Sequence, residues 1–208
     1  MEGLDVLAQM LIARAAPVRF VVASSAVEQQ QIFALRYTTV VEEGWASPTT
    51  YPDGLERDAF DDSAVHIGGW QDAELVATAR LVFPQQGRKL PTEQEFALTI
   101  QPERGVVDIG RAIVAKAYRS RDHILFGALL SRCWLEIRER GYTNLCGTAS
   151  GWRLERYRQF GLPLRIIGSP RHYWGDERFP VFLEGREFAM FAQPYTAMRP
   201  ATTLRTVN

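Results

Sequence analysis

The chain has 208 residues, of which 46% are hydrophobic and 23% charged, and its 24 basic residues balance 24 acidic ones. Such a chain can bury a core without disulfides or metals, and we expect one domain over residues 1–208. The zero net charge gives no bulk attraction to nucleic acid, so no nucleic-acid partner is expected. Cys133 and Cys146 lie in apolar stretches, which is typical of buried thiols in a reducing cytoplasm.

Residues 3–15 predict an extra N-terminal amphipathic helix. Leu4, Leu7, Met10 and Leu11 recur at helical spacing and would form one apolar face. The segment is too short and too polar to cross a bilayer, and it has acidic residues where a signal peptide has basic ones. We therefore expect a cytoplasmic chain without a transmembrane segment. The apolar face would pack on the core, on a partner, or as a peripheral contact on a membrane surface.

The remaining elements alternate between strands and helices. Alternating and β-branched stretches predict strands at residues 18–23, 65–70, 75–83, 105–114, 144–148 and 164–167, with one or two more within 180–192. Helical periodicity and capping residues predict helices at 26–43, 123–140 and 152–160, ended by Gly44, Gly141 and Gly161. The polar stretch 47–63 predicts a long loop. A meander followed by βα alternation predicts an α/β (α+β) fold with a mixed central sheet, largely antiparallel in its N-terminal part, and helices on both faces.

Common catalytic motifs are missing from the sequence. There is no G-x-S-x-G, H-E-x-x-H, C-x-x-C, Walker loop or G-x-G-x-x-G. The histidines, His66, His123 and His172, are scattered, so no metal site is expected. A series of charged and aromatic residues stands out instead, and its members occur in the order Arg36, Trp45, Glu56, Asp58, Asp61, Arg80, Asp108 and Arg111.

This ordered set resembles the long-chain N-acyl amino acid synthases and the related acyl-homoserine lactone (autoinducer) synthases, a branch of the GNAT-fold acyltransferases. The family pattern is R-x3-F, a Trp, E-x-D-x-x-D, an Arg in an R-L strand, and E-x-S-R. It is matched over about residues 30–115, with departures. Val40 stands in place of Phe, Trp45 comes one residue early for a lactone synthase, Asp108 replaces Glu, and Gly110 replaces Ser. These departures and the N-terminal helix favour the N-acyl amino acid synthase branch.

The resemblance implies a GNAT-like acyltransferase that makes bacterial signalling lipids. It would move a fatty acyl group, of long chain, from acyl carrier protein to the α-amine of an amino acid. No tightly bound cofactor is implied, since the acyl-phosphopantetheine thioester is a co-substrate. Asp108 or Glu56 would take the proton of the amine, with Arg111 beside them in the site. The backbone N–H groups of Ile113 and Val114, on a bulged central strand, would stabilise the oxyanion.

The other residues of the series have two interpretations. Arg36, Asp58, Asp61 and Arg80 would shape the substrate site, or they would form a buried ion-pair network that holds the long loop on the sheet. Trp45 would form a wall of the site or belong to the core.

The segment before the helix at 123–140 is basic and lacks glycine. GNAT enzymes that use acetyl-CoA have a glycine-rich turn there, whose N–H groups bind the pyrophosphate. Lys116, Arg119 and Arg121 favour the acidic surface and phosphopantetheine of a carrier protein, unless they form a merely solvated turn. The helix has apolar residues at Phe126, Leu129, Leu130 and Trp134. They predict either an acyl pocket or ordinary core.

Three other functions fit less well. The first is an acyl-homoserine lactone synthase that uses S-adenosylmethionine as acceptor. The second is a GNAT-fold binding module without catalysis. The third is a CoA-dependent N-acetyltransferase, which the missing glycines disfavour.

Overall fold

The computed structural model describes residues 1–159 and 162–196. The helices are α1 (Glu2–Arg14), α2 (Ala26–Glu42), α3 (Pro91–Phe96), α4 (Asp122–Glu139), α5 (Gly151–Gln159) and α6 (Gly185–Thr196). The strands are β1 (Arg19–Val22), β2 (Val65–Gln71), β3 (Glu74–Val82), β4 (Val106–Val114), β5 (Asn144–Ser150), β6 (Arg165–Ile166), β7 (Arg171–Tyr173) and β8 (Asp176–Leu183). Short 3-10 helices lie at Pro48–Thr50, Asp61–Ser63 and Lys116–Arg121.

The strands form one mixed sheet in the order β1-β2-β3-β4-β5-β8-β6, with β7 paired to β8. Strands β1 to β4 are an antiparallel meander, and β8 is antiparallel to β5. The parallel pair is β4 with β5, which the α4 crossover separates in the chain. The predicted mixed sheet with an antiparallel N-terminal meander is thus confirmed, and the parallel pair lies at its centre.

Helices cover both faces of the meander. Along β2, Ile67 packs with α4 in the main core, whereas the neighbouring His66 faces the α2 side, where its ring lies 5.3 Å from that of Phe33. The predicted periodicity of α4 is confirmed, since Leu125, Leu129, Cys133 and Ile137 are fully buried in that core. Helix α2 begins at a capping box in which Ser25 and Glu28 bond each other's backbone N–H groups.

Helix α1 packs against α4 and α6, so its apolar face covers the core. Leu4 and Ala8 are its buried residues, and Met10 is exposed, contrary to the predicted face. Asp5 fixes the helix to α4 by accepting a 2.8 Å hydrogen bond from the indole of Trp134. None of the helices in the described residues combines the length and apolar character needed to span a bilayer.

The predicted elements do not all match the structure. The last strand runs over Asp176–Leu183, and the rest of the predicted stretch 180–192 belongs to α6, because Phe188 and Ala189 pack against α1 and α4. Helix α3 was missed, although Pro91 at its start and Glu93 two residues later are helix-start signals. Helix α5 reaches Gln159, and the predicted end at Phe160 and Gly161 lies outside the described residues.

Candidate active site

A β-bulge interrupts β4 at the centre of the sheet. Arg80 of β3 lies opposite Gly110, but Thr78, two residues earlier, lies opposite Ile113, so β4 has one extra residue in this step. Arg111 adopts a φ of 54°, a left-handed conformation that is uncommon for a residue with a side chain. Such conformations concentrate at functional sites, where surrounding contacts hold them in place.

Just beyond this point β4 and β5 separate. Their parallel pairing ends at Ile109 and Gly147, and the C-terminal parts of the two strands leave a gap between them. Gly147 permits the final close approach, because a Cβ there would lie 2.6 Å from the carbonyl oxygen of Ile109. Backbone groups of the bulged segment of β4 can therefore face an open space in the middle of the sheet.

The strand register gives the direction of the backbone N–H groups that were predicted to stabilise an oxyanion. Ala115 donates to the carbonyl oxygen of Val76 at 2.8 Å, which makes these residues a hydrogen-bonded antiparallel pair. Because such pairs alternate along a ladder, Ile113 points its N–H towards β3 and Val114 points its N–H away from it, towards the gap. The predicted role is thus compatible with the N–H of Val114 and not with that of Ile113.

Two cavities meet at the gap. The polar cavity, of about 450 Å³, is lined by the bulged segment 108–114 and by side chains of α4, α5 and the β7–β8 hairpin. The apolar cavity, of about 270 Å³, lies between α1, α4, β5 and β8. Both cavities share four lining residues, which are Ile109, Leu130, Thr148 and Tyr157. A ligand with a polar head and an apolar tail can therefore occupy adjoining compartments.

Beside the polar cavity lies an arginine–carboxylate network that consists of Arg36, Glu56, Asp58, Asp61, Arg80 and Arg111. Arg36 donates to Glu56 and bonds both oxygens of Asp61, at 2.8 and 3.0 Å. Arg80 donates to Asp58 at 2.6 Å and to Asp61 at 3.0 Å, so it links these two carboxylates. The predicted residues are thus brought together, although they come from α2, the loop after it, β3 and β4.

Arg111 closes the network at the cavity. It donates to Asp58 at 2.8 Å and to Glu56 at 3.2 Å, and Nη1 lies 3.4 Å from the hydroxyl of Tyr173. Burial by itself would lower the pKa of Arg111, but the charges of Glu56 and Asp58 raise it. Since Glu56 accepts from both Arg36 and Arg111, its carboxylate is held in place by two cations.

The network also holds the loop 47–63 on the sheet. Arg36 is completely buried and Arg80 is 1% exposed, so each needs carboxylate partners within the protein. Burial works to raise the pKa of Asp61, but hydrogen bonds from Arg36 and the charge of Arg80 outweigh it and lower the pKa well below its ordinary value. The bracing interpretation of these residues therefore agrees with their contacts, and it does not conflict with a site-shaping role.

Asp108 lies apart from Arg111, although the two are three residues apart in the chain. Its carboxylate accepts a 2.8 Å hydrogen bond from the N–H of Thr92 in α3 and lies 3.5 Å from the thiol of Cys146. Burial raises the pKa of Asp108, against the lowering effect of Thr92 and the charge of Arg80. A buried carboxylate that borders the polar cavity and has a raised pKa is suited to accept a proton.

The β7–β8 hairpin forms a wall that the sequence did not predict. Its two-residue turn, Trp174 and Gly175, has positive φ at both positions, as a type I′ turn requires. Trp174 places its ring 6.1 Å from that of Trp45 and 3.7 Å from the guanidinium of Arg111. Trp45 thus lines the polar cavity as predicted, and the hairpin completes the wall opposite the network.

The residues predicted for the donor are divided between the two cavities. Phe126 lines the polar cavity, Leu130 lines both, and Trp134 lines the apolar one. Leu129 packs in the main core and borders neither cavity, which agrees with the core alternative for this residue. Lys116 is exposed, and Arg119 borders the polar cavity while it pairs with Glu43 at 2.6 Å. The side chain of Arg121 lies outside the described part of the chain.

Comparisons with known proteins agree with this geometry. Residues 35–127 match the family described as acetyltransferase (GNAT) domain. No curated protein matches the chain in sequence. Among solved structures, the chain is similar to FeeM, an N-acyl amino acid synthase from uncultured soil microbes, with a TM-score of 0.65, 16% identity, and coverage of 88% of this chain and 98% of FeeM.

Two other solved structures are comparably similar. BjaI, described as a CoA-dependent acyl-homoserine lactone synthase and solved with SAM and isopentyl-CoA, has a TM-score of 0.64 at 21% identity, over 82% of each chain. TofI, solved with an inhibitor and MTA, has a TM-score of 0.61 at 23% identity, over 80% of this chain and 90% of TofI. The resemblance predicted from the sequence is therefore confirmed at the level of the fold, which is that of the GNAT acyltransferases.

Proposed function

We propose that this GNAT-fold chain transfers a long fatty acyl group from a thioester on acyl carrier protein to the α-amine of an amino acid. The observation that carries the proposal is the junction of the two cavities at the gap between β4 and β5. A thioester carbonyl at this junction would lie beside the N–H of Val114, with its acyl chain in the apolar cavity. The amine would then approach from the polar cavity.

The proposed step is a direct acyl transfer. The amine nitrogen attacks the thioester carbonyl carbon, the carbon–sulfur bond breaks, and the thiol of the carrier leaves with a proton. A donor fixed in advance towards the developing oxyanion contributes about 3–4 kcal/mol in measured cases. Asp108 is the preferred base of the two predicted carboxylates, since burial raises its pKa, whereas two arginines hold Glu56.

Two arginines of the polar cavity are available to bind an acidic acceptor. Arg36, Arg80 and Arg111 are paired within the network, and Arg119 is paired with Glu43. Arg153 and Arg178, which also line the polar cavity, form no ion pair with a carboxylate among the described residues. Asp108 and Asp176 also line the cavity and form no ion pair among the described residues, so the preference for a carboxylate acceptor rests on these two arginines and not on the net charge of the cavity.

The acyl donor has two candidates, which are acyl carrier protein and CoA. Lys116 and Arg119 are exposed in the 3-10 helix before α4, where an acidic carrier protein would find basic partners. The neighbour BjaI is CoA-dependent, so acyl-CoA is the alternative donor to test. Purified chain should be assayed with matched acyl carrier protein and CoA thioesters of the same fatty acid. We expect the carrier thioester to give the higher kcat/KM.

The decisive experiment is product analysis. The chain is expressed in bacteria, and lipid extracts are compared by mass spectrometry with those from cells that express Asp108→Asn. We expect new N-acyl amino acids that depend on Asp108. The appearance of acyl-homoserine lactones would establish the lactone synthase alternative instead. Extracts that contain neither product, from cells with abundant folded protein, would argue against acyl transfer to an amino acid.

A further inference from the structure

Two arginines on the far wall of the polar cavity are not explained by the network. Arg178 lies at the start of β8 and Arg153 in the first turn of α5, and both line the cavity. Burial lowers the pKa of Arg178, and the charge of Arg153 lowers it further. The guanidinium groups therefore repel each other across a confined space. The nearby Asp176 opposes this effect but does not form an ion pair with either of them.

The side chain of Arg178 is held in one orientation. Its Nε donates to the carbonyl oxygen of Tyr173 at 2.9 Å, and Nη2 donates to that of Trp174 at 3.3 Å. Its guanidinium also lies 5.3 Å from the centre of the Trp45 ring. A guanidinium has five N–H donors, so these two bonds leave others free to bind a ligand.

Arg153 is held by stacking. Its guanidinium lies 4.8 Å from the Trp152 ring and 5.1 Å from the Phe126 ring. Stacking on aromatic faces orients the guanidinium plane but leaves its N–H edge free. These two guanidinium groups are oriented, have like charge and form no ion pair with a carboxylate in the part of the chain that the structure describes. A carboxylate or phosphate ligand completes such an arrangement, since it accepts from both groups and cancels their repulsion.

We propose that Arg178 and Arg153 bind an oxyanion of a substrate, and that this oxyanion is the carboxylate of the acceptor. The inference rests on the proposed function, and it assigns the recognition of the acceptor's carboxylate to these two residues. In an α-amino acid the carboxylate and the amine are attached to the same carbon. A carboxylate on Arg178 thus keeps the amine inside the cavity that Asp108 and Val114 also line. A phosphate of the phosphopantetheine arm is the other source of such an oxyanion.

The test measures binding, so that it does not require acyl transfer. The full chain is titrated with a panel of amino acids and with their α-carboxamides, and in parallel with 4′-phosphopantetheine and pantetheine. Quenching of tryptophan fluorescence reports occupancy, because Trp45, Trp152 and Trp174 line the polar cavity. The variants are Arg178→Met and Arg153→Met. Arg19→Met, on the exposed side of β1, is the matched control for the loss of one positive charge.

We expect at least one amino acid to bind about tenfold more tightly than its carboxamide, as charge-assisted hydrogen bonds imply. Either cavity variant should remove most of this preference, and Arg19→Met should keep it. A preference for phosphopantetheine over pantetheine that is lost in the same variants would establish the oxyanion subsite and assign it to the donor. The proposal is overturned if neither preference exists, or if the preferences survive both variants.

Two further controls separate the possible failures. Arg178 also bonds the hairpin, so its variant is accepted only if its melting temperature matches the wild type, and Arg178→Lys is tested beside it. Arg153→Met removes stacking contacts at the rim and keeps the hairpin bonds intact. If the acid preference is found while no acyl transfer occurs with any donor, the proposed reaction is wrong and the oxyanion subsite stands.

Discussion

The guanidinium of Arg111 lies 3.7 Å from the centre of the Trp174 ring, and both residues have positive φ angles, of 54° and 55°. One stands in the bulge of β4 and the other in the turn of the β7–β8 hairpin. Each of these conformations costs about 1–3 kcal/mol for a residue with a side chain. The contact joins the carboxylates that Arg111 holds to the opposite wall of the polar cavity, so the two conformations shape the same site.

Replacement of Trp174 should impair turnover more than folding. Trp174→Ala removes a cation–π contact worth about 1–2 kcal/mol, and it frees Arg111 to move within the site. We expect kcat/KM for acyl transfer to fall about tenfold, which corresponds to about 1.4 kcal/mol. The free energy of unfolding should change by less than this amount. Trp174→Phe keeps an aromatic face and should retain most of the activity. Equal losses for Ala and Phe would show that stacking is not what positions Arg111.

The network is expected to dominate the stability of the 47–63 loop. Arg36→Met leaves Glu56 and Asp61 buried with one arginine fewer, and the removal of one partner from a buried ion pair costs about 3–5 kcal/mol. Urea unfolding measures the loss. Arg57→Met breaks an exposed pair with Asp53 and serves as control, with an expected effect below about 1 kcal/mol. Similar losses in the free energy of unfolding for both variants would contradict the view that the buried network stabilises the fold.

Acid sensitivity should follow from Asp61. Its folded pKa is lower than its unfolded value, so in acid the unfolded chain binds the extra proton. The stabilisation is therefore present above the unfolded pKa, near 3.8, and is lost as the pH falls towards the folded one. We expect the stability of the wild type to decline more steeply below about pH 4 than that of Asp61→Asn. Asp53→Asn, an exposed control, should keep the wild-type slope.

Replacement of Asp108 should lower activity without lowering stability. Loss of a general base typically costs about 10²–10⁴ in rate, so Asp108→Asn should lower kcat by that factor. Burial raises the pKa of Asp108 above its unfolded value, which means that its ionised form costs stability as the pH rises through the folded pKa. The amide removes this cost and still accepts from Thr92. A variant that is inactive and at least as stable at pH 7 supports the base; one that is active excludes it.

The sequence predicted most of the fold because its periodic patterns are local. The α4 spacing and the β2 and β3 alternation were sufficient to place those elements. The C-terminal stretch was different, since α6 is helical through contacts with α1, which lies at the other end of the chain. Local pattern alone does not contain such a contact, and the strand prediction there was wrong.

The sequence predicted the arginine–carboxylate side of the candidate site but not the β7–β8 hairpin opposite it. The series from Arg36 to Arg111 was recognised through a family pattern, and the structure brings most of it into one network. Trp174 and Arg178 had no such pattern. A Trp-Gly turn is not among the usual type I′ sequences. Trp174 contacts Arg111 and Trp45, which lie more than 60 positions earlier in the chain. Only the pairing of β8 with β5 brings them to the polar cavity.

Gly127 offers a direct test of the apolar cavity as the acyl site. It lies in α4, lines that cavity, and a Cβ on it would meet nothing within 4 Å. We therefore expect the side chain of Gly127→Leu to occupy part of the cavity, since its Cβ meets no neighbouring atom. Alanine in place of glycine within a helix is favourable by about 1 kcal/mol. We expect Gly127→Leu to lower kcat/KM at least about tenfold for hexadecanoyl donors, since an obstructed tail costs several methylene contacts. Butyryl donors should react normally.

Gly127→Ala is the matched control, because it shares the helix effect and adds a single methyl group. It should raise the melting temperature and leave the chain-length profile nearly unchanged. If Gly127→Leu slowed short and long donors alike, the added side chain would be disturbing the gap between β4 and β5 rather than filling a tail site. If it slowed neither, the acyl chain would have to bind elsewhere, and the apolar cavity would not be the acyl site.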